Sequence, residues 1–268
     1  MRAKAKNLGM TREWGRRPVR QIVALGGGGF SMERRNTLLD DYITGLSDRE
    51  RPRVCFVPTA SGDADHYIVR FYRAFPASRF EATHISLFRR DEGAADIHQH
   101  LLDSDIVYVG GGNVISMLGA WRAHGLDLTL RRAWERGVVM CGVSAGSLCW
   151  FESAVTAFHG KAERVVGLGL LPWSNCVHFD CEPSREDGYR RLLLGGMRPG
   201  YAAEDGTALH FVRDELAHVV ASRPGARAFA MSSSLDGQVA QTLLDVSYLG
   251  DMGDRALEVP VQRLAIAA

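Results

Sequence analysis

Ser144 sits between two glycines in the stretch Val138-Val139-Met140-Cys141-Gly142-Val143-Ser144-Ala145-Gly146-Ser147. The apolar run before Gly142 predicts a buried strand, and Leu148-Cys149-Trp150-Phe151 predicts an apolar, helical continuation. Gly-x-Ser-x-Gly between a strand and a helix is the pattern of a nucleophile elbow, a strained turn that lifts a serine hydroxyl clear of the backbone. Side chains at Gly142 and Gly146 would collide with the neighbouring strand and helix. The same turn aims the N–H of Ala145 at the place where a carbonyl oxygen would gain charge. A serine nucleophile also needs a base, most often histidine, and an acid that fixes the tautomer of that base. Of nine histidines, His178 stands out because it ends the strand-like run Asn175-Cys176-Val177. On spacing alone His159, His210 and His218 stay open as bases, and Asp180, Glu204 and Asp205 as acids.

These groups must be brought together by the elements that carry them. Gln21-Ile22-Val23-Ala24-Leu25, Val54-Cys55-Phe56-Val57 and Ile106-Val107-Tyr108-Val109 read as buried strands. They alternate with helical faces at Leu38, Leu39, Tyr42, Ile43 and Leu46, at Tyr67, Ile68, Phe71, Tyr72 and Phe75, and at Val114, Ile115, Leu118 and Trp121. Further elements are a strand over 82–88, short helices over 97–102 and 126–136, strands at 165–166 and 175–177, and a helix over 185–194. Continuous apolar strands alternating with helices predict an α/β fold, a mostly parallel sheet covered by helices on both faces. The 208–212 and 216–221 runs, joined at Arg213-Asp214, predict an antiparallel hairpin at the C-terminal edge. No linker or repeat interrupts 21–268, which reads as a single domain. Residues 1–20 form a basic N-terminal extension with seven Arg and Lys against one acid.

In an open parallel sheet, ligands gather at the carboxyl ends of the strands. Gly26-Gly27-Gly28-Gly29, Gly110-Gly111-Gly112-Asn113 and the elbow all fall there. Neither glycine run fits the dinucleotide fingerprint or precedes Lys-Ser/Thr, which argues against a nucleotide cofactor. The 110–113 turn reads as the second wall of an oxyanion hole. A net charge of +1 gives no sign of a nucleic-acid partner, and no apolar run approaches a membrane span. Five cysteines without metal-ligand spacing point to a reducing cytoplasm and to no bound metal.

Taken in order, five motifs resemble the peptidase E (α-aspartyl dipeptidase) family, which includes cyanophycinases. They are Pro58-Thr59-Ala60-Ser61, Gly110-Gly111-Gly112-Asn113, Val143-Ser144-Ala145-Gly146, His178-Phe179 and Glu204-Asp205-Gly206-Thr207-Ala208. The resemblance spans about 21–211. It implies a fold similar to class I glutamine amidotransferases and a serine hydrolase without cofactor or metal. By residue match it implies Ser144 as nucleophile, His178 as base, Glu204 as acid, and Gly112 and Ala145 as oxyanion donors. Asn113 stands where cyanophycinases tend to carry glutamine, which favours the dipeptidase branch. Ser184-Arg185-Glu186 resembles the family's Thr-Arg-Glu, implying Arg185 as the partner of an N-terminal aspartate. The 178–185 stretch looks shorter than in typical members, and the basic extension has no counterpart. The expected partner is a small peptide substrate, with a homodimer left open.

Two other readings compete. An α/β-hydrolase-type esterase would use the elbow with an acid before a late histidine, such as Asp205 before His210 or His218. A silent, ligand-binding member of the amidotransferase-like fold would not need Ser144, His178 and Glu204 intact.

Overall fold

The computed structural model describes residues 18–88, 96–181, 183–234 and 236–252. Most of the basic 1–20 stretch, and residues 253–268 of the expected domain, lie outside the described residues. The first half runs β1 (Gln21–Leu25), α1 (Gly29–Met32), α2 (Leu38–Thr44), β2 (Arg53–Val57), α3 (Asp65–Ala74), β3 (Glu81–His84), α4 (Ile97–Asp103), β4 (Ile106–Val109), α5 (Val114–His124), α6 (Leu126–Glu135) and β5 (Val139–Val143). Beyond the elbow follow α7 (Ala145–Leu148), β6 (Phe151–Thr156), β7 (Glu163–Val166), β8 (Leu171–Val177), α8 (Pro183–Leu194), β9 (Gly200–Ala203), β10 (Thr207–Val212), β11 (Glu215–Ala221), β12 (Ala228–Ser233), β13 (Val239–Leu243), β14 (Ser247–Tyr248) and α9 (Leu249–Met252).

Two sheets result. The larger has the order β14-β11-β10-β1-β5-β4-β2-β3, and the smaller β13-β12-β9-β8-β6-β7. In the larger sheet β1, β5, β4, β2 and β3 pair in parallel, while β10 and β11 form the expected antiparallel hairpin beside β1. Strand alternation sends successive residues to opposite faces. Val23 and Leu25 therefore join Phe30, Tyr42 and Phe71 from α1, α2 and α3. Ile22 and Ala24 join Leu101, Trp121 and Leu130 from α4, α5 and α6. The second of these clusters also takes in Phe151, Val177, Tyr201 and Ala230 of the smaller sheet, so one core runs beneath both sheets. On the far side of the smaller sheet, Tyr189 and Leu193 of α8 pack on Cys176, Ala202 and Phe229.

Two sequence expectations need correction. The strand expected over 82–88 ends at His84. The apolar segment after the elbow is helical for only one turn, Ala145–Leu148, and Phe151 already opens a strand of the smaller sheet. That sheet itself was not foreseen. Its strands β9 and β12 are built largely from Gly, Ala and Ser, residues whose burial leaves a weak periodic signal.

Candidate active site

β5 ends in the elbow. Ser144 has φ 56° and ψ −116°, a conformation L-residues rarely adopt and one that a functional turn must hold in place. The frame that holds it is backbone. A Cβ on Gly142 would lie 2.3 Å from the Gly146 carbonyl oxygen, and one on Gly146 would lie 2.2 Å from that of Val109. Ser144 stays partly exposed, while Ala145 behind it is buried. At the end of β4, a Cβ on Gly111 would come within 3.3 Å of Ser144 Cβ, so that turn forms the wall beside the serine. The Gly111 N–H donates to Tyr67 Oη at 3.1 Å, and the Asn113 N–H to Ala60 O at 2.8 Å. Neither bond uses the N–H of Gly112, which is exposed at φ 140°.

His178 follows β8 with φ 54°. Two consecutive carbonyls, the last of β1 and the one just after it, tie Ser144 and His178 to one strand end. The Ser144 N–H donates to Leu25 O at 3.4 Å, and the His178 N–H donates to Gly26 O at 3.1 Å. The larger sheet thus supplies the serine, the smaller sheet the histidine, and β1 is their common anchor.

The acid facing the imidazole is Asp205. His178 Nδ1 donates to Asp205 Oδ1 at 2.5 Å, since an ionised carboxylate can only accept. That assignment leaves Nε2 as the acceptor nitrogen. Burial raises the Asp205 pKa, but the His178 hydrogen bond and charge, with help from Cys181 and Arg223, outweigh it and hold the carboxyl below its ordinary value. The Asp205 N–H in turn donates to Asp180 Oδ1 at 2.9 Å, so Asp180 braces the backbone of the acid. Glu204, the acid expected from the family resemblance, points elsewhere. It accepts from the Arg227 N–H at 2.9 Å and from Arg227 Nε at 2.8 Å, and its side chain is 7% exposed. Adjacent residues in the turn between β9 and β10 project in opposite directions, and a one-residue offset moves the carboxylate to the other side.

The remaining candidates are placed as follows. His210 is buried on β10 against Tyr42 Oη at 2.7 Å, and burial first, then neighbouring His218, pushes its pKa down to about 3. His159 lies exposed in the β6–β7 connection. None of the three alternative histidines meets Asp205. Asn113 uses its side-chain oxygen to accept from the Ser116 N–H at 3.0 Å, which makes it the N-cap of α5. Arg185, partly buried in the first turn of α8, lies near enough for its charge to act on the Cys176 thiol.

Sequence reasoning missed Gly27. A Cβ there would fall 2.0 Å from Asp205 Oδ1 and 3.1 Å from His178 Cε1. The glycine run after β1 gives room to the histidine–carboxylate pair, and that run was the available signal. Cys181, whose Sγ lies 3.4 Å from Asp205 Oδ2, was likewise unassigned. Beyond Phe179 opens a cavity of about 340 Å³ whose polar groups include Asp180, Glu186, Glu204 and Arg227.

A serine on a strained elbow, anchored beside a histidine–aspartate pair, is chemistry that comparison with other proteins can place. The family model for peptidase family S51 matches residues 22–219. The chain belongs to peptidase family S51. As an S51 member it is a serine-type peptidase. The S51 chain is 46% identical over 233 residues to the uncharacterized peptidase YgaJ of Bacillus subtilis (strain 168), which covers 87% of this chain and 100% of that protein. It is 28% identical over 231 residues to Peptidase E of Streptomyces coelicolor, covering 81% and 91%. A solved peptidase from an acI-B1 actinobacterium superposes with TM-score 0.60 at 17% identity, covering 86% of this chain and 96% of that one. A putative Peptidase E protein from Listeria monocytogenes EGD-e gives TM-score 0.54 at 16% identity, covering 85% and 100%. Those two likenesses concern the fold of the S51 chain. Among the described residues, no helix is long and apolar enough to cross a membrane.

Proposed function

We propose that this peptidase hydrolyses dipeptides or short peptides through a Ser144–His178–Asp205 triad and an acyl-enzyme. The observation that carries the reading is the His178–Asp205 bond held on the same strand end as the strained Ser144. Ser144 Oγ attacks the scissile carbonyl while His178 Nε2 takes its proton. The N–H groups of Ala145 and Gly112 receive the oxyanion. His178 then hands the proton to the leaving amine, and the C–N bond breaks. Water repeats the sequence on the ester and returns Ser144. Asp205 keeps the proton of the neutral imidazole on Nδ1 and stabilises the imidazolium that forms.

The cavity beyond Phe179 supports a substrate with a free amino terminus, because carboxylates outnumber the arginine there. Arg185 is the proposed partner of an N-terminal aspartate, following the match of Ser184-Arg185-Glu186 to the α-aspartyl dipeptidase pattern. Asn113 bears on substrate through the backbone it sets while capping α5. The cytoplasm is the proposed setting.

Two measurements test this reading. A fluorophosphonate should label Ser144, and a panel of dipeptides with varied first residues should reveal turnover. Arg185→Met should then lower kcat/KM for Asp-X substrates about ten- to a hundred-fold, the worth of a charge-assisted hydrogen bond. Substrates with a neutral first residue should change far less. Absence of label on Ser144 in folded protein overturns the mechanism, and equal losses across the panel make Arg185 structural.

A further inference from the structure

Three groups of different ligand type meet beside the imidazole. The donor atoms of His178, Cys181 and Asp205 all lie within 4.8 Å of one another. A tetrahedral zinc ion with bonds of about 2.0–2.3 Å sets its ligand atoms roughly 3.3–3.8 Å apart. Cys181 Sγ and Asp205 Oδ2, at 3.4 Å, already stand at that spacing. His178 Nδ1, bonded to the other oxygen of that carboxylate, Asp205 Oδ1, at 2.5 Å, would exchange that bond for the ion. Cys181 is exposed, so an ion can reach it, whereas Cys55, Cys141, Cys149 and Cys176 are buried. Asp180 Oδ1, 3.7 Å from the same sulfur, adds a further negative charge.

We propose that His178, Cys181 and Asp205 form an inhibitory site for a thiophilic divalent cation of the zinc type. The ligand set of imidazole, thiolate and carboxylate suits Zn2+ or Cd2+ and not Mg2+ or Ca2+. Binding at Nδ1 requires that nitrogen to give up its proton. The neutral imidazole then carries its hydrogen on Nε2, and the Cys181 thiol proton leaves to solvent. Nε2 becomes a donor and can no longer accept the Ser144 proton, so the ion switches off the base without touching the serine. The Asp205 and Asp180 carboxylates beside the Cys181 sulfur attract a cation to this place.

The inhibition rests on the function proposed above, but the binding does not, and the experiment separates them. Cadmium titrated into the reduced protein should produce the ultraviolet charge-transfer band of a Cd–thiolate bond. In weak buffer it should release about one proton per ion. Cys181→Ser keeps a donor to Asp205 yet should lose the band, and its zinc sensitivity is read against its own zinc-free activity. It should also raise the half-inhibiting zinc concentration at least about ten-fold, as loss of a ligand does. In the wild type, chelation should restore activity. A band that persists in Cys181→Ser, no band in the wild type, or equal zinc sensitivity of the two proteins overturns the proposal. If no peptide is turned over, the band and the proton release still decide whether the ion binds.

Discussion

Around Ser144, the constraints are backbone against backbone, with Gly142 pressed on Gly146 and Gly146 on Val109. Around His178 they are hydrogen bonds between side chains and a turn: imidazole to Asp205, Asp205 to Asp180, and Cys181 to both carboxylates. The first kind of frame is rigid, since packed backbone cannot give way. The second kind can rearrange, because each partner turns about single bonds. The strained Ser144 therefore sits on stiff scaffolding from the larger sheet, and the His178–Asp205 pair hangs from the smaller sheet and the turn that links the two.

The largest expected effect breaks the nucleophile half chemically and leaves its frame intact. Ser144→Ala should lower kcat by about a million-fold, as loss of a triad serine does. Its melting temperature should stay close to that of the wild type, and a large drop would assign Ser144 a structural role. Next come two glycine substitutions that sharpen the contrast. Gly146→Ala drives a Cβ into the Val109 carbonyl and should cost about 3 kcal/mol of stability, the upper end for overpacking, read from urea unfolding. Gly27→Ala meets side chains and no backbone, Asp205 Oδ1 at 2.0 Å and His178 Cε1 at 3.1 Å. It should displace that carboxylate and depress activity with a smaller loss of stability. Similar stability losses in both would erase the distinction between the two frames.

The smallest effect is on acid stability. Asp205 has its folded pKa held below the ordinary carboxylate value. The associated stability is therefore fully present above about pH 3.9, the unfolded value, and is lost as the pH falls through the folded one. In a series of melts toward acid, the wild type should lose stability below that point that Asp205→Asn does not lose. Parallel curves would mean that the His178 pair contributes nothing to the fold.

The contrast also explains what the sequence made legible. A steric frame is written in residue type: glycines at 142 and 146 and at 110–112 announce close approach whatever folds around them. Buried strands such as Gln21–Leu25 and Ile106–Val109 are written just as openly, as continuous apolar runs. The acid was a different matter. Glu204 and Asp205 are neighbours of like charge, and choosing between them depends on the direction of two side chains in one turn, which a motif match does not encode. The smaller sheet was hidden for a related reason. Leu148-Cys149-Trp150-Phe151 is apolar enough for helix or strand, and only packing beneath the larger sheet turns the chain into β6 after a single helical turn.

The most direct test of the account compares Asp205→Asn with Glu204→Gln on one peptide substrate, with melting curves recorded to confirm that both variants are folded. The two residues are adjacent and both buried, so the comparison isolates which carboxylate serves the imidazole. Asp205→Asn should lower kcat by about ten-thousand-fold, the effect of a wrong histidine tautomer in a serine triad. Glu204→Gln, which weakens the pairing with Arg227 and leaves the imidazole's partner in place, should keep kcat within about ten-fold of the wild type. A crippled Glu204→Gln beside a near-normal Asp205→Asn would contradict the triad.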